Sequence, residues 1–188
     1  SGSGDIKLVN GIQTDDNLNI KIQGSGDIAG NKISCNLLSL SINGSGDMTL
    51  NRIDALKAEV GINGSGDIKG KDFKCRKMSV SISGSGDVKL QQIESEECNA
   101  SIAGSGDIGL SGKTLNAKYK IAGSGDIAAG NLESENVSAS TTGSGSISCY
   151  ASGKLTARVT GSGDIAYRGN PQEIDACLLY TSPSPRDS

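Results

Sequence analysis

The sequence predicts an all-β chain wound as a single-stranded parallel β-helix, with about nine coils of about 20 residues and three narrow sheets. Three observations carry this expectation. Gly-Ser-Gly begins at Gly2, Gly24, Gly44, Gly64, Gly84, Gly104, Gly123, Gly143 and Gly161, at spacings of 22, 20, 20, 20, 20, 19, 20 and 18 residues. Asp follows in every copy except the one that has Ser146, and an aliphatic residue follows in all of them. Ahead of each unit, apolar and polar residues alternate. A near-constant period of this size marks a repeat architecture, in which one unit cannot bury its apolar face alone and stacking closes the core.

The strand before each unit forms one wall. Leu38, Leu40 and Ile42 precede Gly44, and Met78, Val80 and Ile82 precede Gly84, at every second position, as in a strand with one buried face. The same parity continues through the glycines to the aliphatic column (Ile6, Ile28, Met48, Ile68, Val88, Ile108, Ile127, Ile147, Ile165) and on to Leu8, Leu50, Leu90 and Leu110. The glycines therefore face inward, and Ser and Asp outward. A straight run of this length would span roughly 40 Å at about 3.3 Å per residue, too long for one side of a short coil. The chain must bend where a missing Cβ permits it, so Gly24, Gly26, Gly44, Gly46, Gly64, Gly66, Gly84, Gly86, Gly104 and Gly106 are structural turn residues.

The phase slips at the polar pairs Asn31-Lys32, Asn51-Arg52, Lys71-Asp72 and Gln91-Gln92, after which Ile33, Ile53, Phe73 and Ile93 resume the inward column. A second slip falls near Asn36, Lys57, Arg76 and Glu97. Three bends per coil give a roughly triangular section. Stacking at about 4.8 Å per coil predicts a rod roughly 38 Å long, with right-handed winding from the general handedness of parallel crossovers. Thr14, Asp15, Asp16 and Asn17 enlarge the first coil, and the units after Gly104 and Gly143 are shortened at corners.

Composition narrows the function. Lys plus Arg number 18 against 21 Asp plus Glu, for a net charge of −3, and neither sign forms a long block, so nucleic acid is not an expected partner. No apolar run reaches the eighteen or so residues of a membrane span, and no signal-peptide pattern opens the chain. The sequence begins inside a repeat and reads as a fragment. Cys177 to Asp187 (CLLYTSPSPRD) break every upstream pattern and resemble a translated sequencing adapter. The expected division is a β-helix over 1–176 and a non-native tail over 177–188. A β-helix fragment open at both ends exposes strand edges, which predicts end-to-end self-association.

The Gly-Ser-Gly-Asp units, the alternating strand before each and the stretch Gly61-Ile62-Asn63-Gly64 resemble the head GIN domain family, whose name records a suggestion of autotransporter adhesion. The resemblance covers essentially Ser1 to Ala176 and implies a β-helix on exported proteins of Gram-negative bacteria. Tyr167-Arg168-Gly169-Asn170-Pro171 is similar to the Tyr-x-Gly-x-Pro stretch that precedes a last repeat in that family. The N-terminal approach to the helix, the export signal and the closing repeat have no counterpart here. The resemblance carries over no ligand and no catalytic residue.

The Asp column (Asp5, Asp27, Asp47, Asp67, Asp87, Asp107, Asp126, Asp164) is the one feature that looks chemical. Like charges about 5 Å apart repel by roughly 3 kcal/mol at an effective dielectric of 20, so the ladder must be solvated, hydrogen-bonded or bridged by cations. One reading has each carboxylate accept from backbone N–H groups of its own turn, as in Asx-turns. The other is a calcium-binding repeat, by analogy with Gly/Asp-rich nonapeptide β-rolls, although one Asp per coil does not close a cage.

No residue set is read as catalytic or as a metal site, and no cofactor is expected. A repeated external ladder places every Asp in nearly the same environment, whereas glycoside hydrolysis needs two carboxylates in different ones. Without His there is no Ser-His or Cys-His nucleophile. Cys35 and Cys75 occupy one column two coils apart, beyond disulfide reach, while Cys98 and Cys149 fill two other apolar columns. Tyr119, Tyr150 and Tyr167 sit in different units and read as packing, with Tyr119 and Tyr167 inward. An ice-binding surface is disfavoured by the charged Asp column beside Ser. The expected function is a noncatalytic cell-envelope or extracellular module, adhesin-like, whose outer wall contacts a surface glycan or protein. A structural spacer or stalk is the alternative, and a calcium-binding repeat the third.

Overall fold

The computed structural model describes residues 4–179. It contains strands β1 (Ile6–Leu8), β2 (Ile12–Gln13), β3 (Asn17–Gly24), β4 (Ile28–Gly44), β5 (Met48–Gly64), β6 (Ile68–Gly84), β7 (Val88–Gly104), β8 (Ile108–Gly123), β9 (Ile127–Gly143), β10 (Ile147–Tyr150), β11 (Lys154–Gly161), β12 (Ile165–Arg168) and β13 (Glu173–Leu179). Every pairing is parallel and joins a coil to the next, and no helix is present among the described residues. Leu40 pairs with Val60, Val60 with Val80 and Val80 with Ala100, one coil per step. The chain is thus a β-solenoid of about nine turns of about 20 residues, as its period requires.

Burial follows the predicted phases. In β5, Met48 and Leu50 face in, Asn51 and Arg52 face out, Ile53 and Ala55 face in, Leu56 and Lys57 face out, and Ala58, Val60 and Ile62 face in. These three runs are a first, a second and a third wall. They are faces of one continuous ladder and not separate sheets, because strands of 16 or 17 residues run unbroken through both polar corners. From β4 to β9 only the Gly-Ser-Gly-Asp corner interrupts the strand.

Core volume is exchanged between walls within a coil. Phe73 occupies the Ile53 and Ile93 column, and Gly70 takes the place that Leu50 and Leu90 hold in the coils on either side. A Cβ on Gly70 would collide with the Phe73 ring. In β8, Tyr119 stands between Ala100 and Ala139 while Gly112 replaces a large aliphatic in the Ile93 column. Large residues beside small ones keep the interior close to native packing density.

The irregular coils lie where the spacings predict. The first coil breaks around Val9–Gly11 and Thr14–Asp16, where Thr14 Oγ1 accepts from the Asp16 N–H at 3.1 Å. The register shifts between Leu90 and Ile93 as Gln91-Gln92 face a corner one residue shorter in β8, and Gln92 takes a φ of +52° there. In the coil after Gly143, Ala151-Ser152-Gly153 replace part of the second wall, held by the Ser152 and Gly153 N–H groups on the carbonyls of Ser134 and Glu135. Gly169, inside the Tyr-x-Gly-x-Pro stretch, has a φ of +93° and packs directly on the Ala151 backbone.

β13 crosses the expected boundary after Ala176. Arg158 pairs with Cys177 and Val159 with Leu178, because parallel pairing uses only main-chain groups and accepts any sequence. The expected tail from residue 180 onward lies outside the described residues.

Candidate functional site

Two features of the surface could carry function: the Asp column at the Gly-Ser-Gly-Asp corner, and the outward side chains of the third wall.

At the corner, successive glycines stack so closely that a Cβ on Gly86 would strike the carbonyl oxygen of Gly66, and one on Gly84 that of Gly64. The Ser N–H turns to the coil before, Ser65 donating to the Gly44 carbonyl at 3.0 Å. The Asp carbonyl is also engaged, since Ile28 N–H donates to Asp47 O at 2.8 Å. The Asp N–H meets the carboxylate of the Asp one coil earlier. Asp27, Asp47, Asp67, Asp87, Asp107 and Asp126 each donate their backbone N–H to Oδ1 of the Asp one coil earlier, at 2.9–3.1 Å. The Ser146 N–H does the same to Asp126 at 2.8 Å. The carboxylates thus bond across coils, not within their own turn as the Asx-turn expectation had it. The ladder ends at Ser146, whose side chain takes up no such bond from Asp164 among the described residues.

This arrangement is structural chemistry. A hydrogen bond to a charged group contributes about 1.5–3 kcal/mol, comparable with the repulsion between neighbouring carboxylates. No three acidic or thiol side chains converge into a metal-ligand set among the described residues. The ladder therefore joins seven of the eight predicted Asp residues, Asp5 to Asp126, without gathering them into a site, and Asp164 lies beyond its end at Ser146.

The second wall and its corners are laced by ion pairs one coil apart: Arg52 with Asp72 at 3.0 Å, Lys74 with Glu94 at 3.1 Å, Arg76 with Glu96 at 3.4 Å, Lys77 with Glu97 at 3.1 Å and Lys113 with Glu133 at 3.4 Å. Except for Asp72, whose side chain is half-buried, these groups are largely solvated, so each exposed pair is worth at most about 1 kcal/mol. Their joint effect is to neutralise this face.

The third wall is the widest, with three outward positions per coil. These carry Ser39, Ser41 and Asn43 in β4, Ser79, Ser81 and Ser83 in β6, Asn99, Ser101 and Ala103 in β7, and Ser138, Ser140 and Thr142 in β9. The other strands add charge to this wall, with Lys21 in β3, Glu59 in β5, Arg158 in β11 and Asp175 in β13, and Lys118 and Lys120 of β8 place two cations on one strand. Lys118 lies between Asn99 and Ser138, and Lys120 between Ser101 and Ser140. Neither has a carboxylate within ion-pairing distance among the described residues. These two lysines were not singled out from sequence, yet the signal was available. Lys74, Arg76 and Lys77 each have Glu twenty residues on, whereas Lys118 and Lys120 have Ser there.

The chemistry of the interior is inert. Burial raises the thiol of Cys35, brings those of Cys75 and Cys149 up to about 11 and pushes Cys98 up to about 12, helped in the last case by Cys75. All four are free and buried, in the columns expected for them, and Cys177 is free and exposed. Tyr119 is buried, and desolvation raises its phenol, with a smaller opposing effect of the neighbouring Ser134 hydroxyl. That hydroxyl donates to the Leu132 carbonyl, and the Tyr119 hydroxyl has no hydrogen-bond partner in good geometry. Tyr167 holds its predicted register on Cys149 but is 47% exposed, because no described coil lies over it.

The family described as "Putative auto-transporter adhesin, head GIN domain" matches residues 1–94 and 59–171, two overlapping spans, as a repeat allows. The chain belongs to the head GIN domain family. A solved structure named "Putative lipid binding protein", from Parabacteroides distasonis, resembles this GIN domain with a TM-score of 0.64 at 27% identity, over 79% of this chain and 62% of that one. The GIN domain thus corresponds to less than two thirds of that protein's length. The comparison with curated proteins finds no match. No helix of the GIN domain is long and apolar enough to cross a membrane, among the described residues.

Proposed function

We propose that this GIN domain is a noncatalytic binding module of the cell envelope or extracellular surface, and that its third wall is the face that contacts a surface glycan or protein. One observation carries the choice of wall. The first wall's corner repeats Ser-Asp in almost every coil and ties it into the ladder, and the second wall pairs its charges between coils. The third wall alone combines width with side chains that vary from coil to coil and have free hydrogen-bonding groups. A stack of parallel strands holds such a face rigid, which lowers the entropic cost of binding. The family description supports adhesion at a surface, and the uniform setting of the Asp residues supports a noncatalytic role.

A glycan array probed with the domain tests this, alongside Ser101→Trp on the third wall and Glu94→Trp on the second. Binding that Ser101→Trp abolishes and Glu94→Trp leaves intact is the expected result. Absence of binding to any glycan or surface protein favours the spacer reading, which the ion pairs and the ladder between coils support.

The name of the similar solved structure supports a second reading, lipid binding. An apolar depression of about 520 Å³ near the C-terminal coils, lined in part by Leu155, Val159, Ile165, Tyr167 and Ile174, is the feature that would serve it. Saturable uptake of a fluorescent fatty acid, lost in Tyr167→Asp, would distinguish it from the wall.

A further inference from the structure

Lys118 and Lys120 carry charge on the third wall that no ion pair takes up among the described residues, and the carboxylates of that wall, Glu59 and Asp175, lie three coils away on either side in the Lys118 column. Lys118 and Lys120 are two residues apart on β8, so both side chains leave the same face about 7 Å apart. Arg158 of β11 extends the Lys120 column, since Lys120 pairs with Ser140 and Ser140 with Arg158, two coils or roughly 10 Å along the rod. It too is exposed and without an ion pair among the described residues. Three cations thus form a triangle on a chain whose net charge is −3. Small side chains surround them. Shallow depressions of about 340 and 320 Å³ flank the Lys118 stem, with Asn99, Ser101 and Ser138 among their lining.

Resting on the surface-binding reading above, we infer that this face binds a carboxylate-bearing polysaccharide, with acidic sugars on Lys118, Lys120 and Arg158 and sugar hydroxyls on Asn99, Ser101 and Ser138. Lysine and arginine donors suit carboxylates, and amide and hydroxyl groups both donate to and accept from a hydroxyl-rich chain. Around Lys118, Lys120 and Arg158 the described residues of the face include no aromatic ring on which a nucleobase would stack and no large apolar side chain that would enter a lipid layer. An extended polymer laid along the rod can meet cations two coils apart.

Titration of the whole chain with polygalacturonate and with its carboxyl-reduced form tests the inference. Lys118→Ala/Lys120→Ala and the first-wall control Lys89→Ala serve as variants, and a single-stranded DNA oligonucleotide as an unrelated polyanion. All three lysines are exposed, and unchanged circular dichroism verifies folding. Expected are binding of polygalacturonate but not of the reduced polymer, affinity about tenfold lower in the double variant, and no change in Lys89→Ala. Equal binding by the double variant, no binding of polygalacturonate, or tighter binding of the oligonucleotide would overturn it. Should neutral glycans bind in a manner sensitive to Ser101→Trp while polygalacturonate does not, the acidic ligand fails and the third-wall reading stands. Binding to nothing fails both.

Discussion

The backbone N–H of Asp107 donates to Oδ1 of Asp87 at 3.0 Å, across one full coil of chain. The bond explains why the fourth residue of the repeat is Asp. Its N–H points along the rod at the corner, and a short side chain with an acceptor oxygen on the coil before satisfies it. Asp87→Ala should therefore destabilise the domain by about 1–2 kcal/mol, whereas Asp87→Asn, which keeps an acceptor oxygen and removes a charge from the ladder, should cost less than half as much. Urea denaturation of the three proteins measures this.

A related expectation concerns calcium. One oxygen of each bonded carboxylate already accepts a backbone N–H, and no second acidic column faces the ladder. The midpoint of heat denaturation should be the same in millimolar calcium and in chelator. An upward shift with calcium would revive the cation-bridged reading of the Asp column.

The two kinds of glycine should respond in opposite ways. Gly86→Ala places a methyl group against the Gly66 carbonyl and should cost more than about 3 kcal/mol or prevent folding. Gly109 lies in a strand on the outward face, where the nearest atom to a new Cβ is the Lys89 Cγ at 3.8 Å. Gly109→Ala should stabilise by about 0.4–1 kcal/mol through the unfolded state. Thermal melts of both variants decide the matter.

Tyr119 buries a hydroxyl without a partner. Removing it in Tyr119→Phe should raise stability by about 1 kcal/mol, since an unsatisfied buried polar group carries a penalty of that order. Chemical denaturation that instead shows a loss would mean that the hydroxyl is bonded.

Thiol reactivity should separate the five cysteines. With Cys75 and Cys149 raised to about 11 and Cys98 to about 12, roughly one thiol in a thousand or fewer ionises at pH 8, and burial blocks access besides. Raised values also mean that folding favours the protonated thiols. Stability from these groups is fully present below the unfolded thiol's usual range and is lost as pH rises through about 11 for Cys75 and Cys149 and about 12 for Cys98. Mass spectrometry after alkylation of the native protein at pH 8 should find Cys177 modified and the other four intact until denaturant is added.

Much of the fold was legible because a fixed period states the register outright. Cys35, Ala55 and Cys75 fall in one column as their spacing requires, and the slips at Asn51-Arg52 and Leu56-Lys57 mark the corners between walls. What escaped depends on geometry between coils. Asx-turn logic looks two residues along the chain, whereas the partner of the Asp47 N–H is Asp27, set by the path of the corner. Tyr167 is inward by register yet exposed, because burial needs a neighbouring coil and not parity alone. Lys118 and Lys120 escaped for a different reason. Their positions do not repeat from coil to coil, so the period carries no signal for them.

The third wall exists only if coils stack in parallel with a twenty-residue register. In a Cys177→Ser background, the pair Ser81→Cys/Ser101→Cys joins outward positions paired directly between β6 and β7, within disulfide reach. Ser81→Cys/Ser140→Cys joins positions three coils apart on the same column, at roughly 14 Å. Mild oxidation of the monomer should close the first pair and leave the second reduced. Failure of the first to close, or closure of the second, would contradict the stacked rod and the contact face built on it.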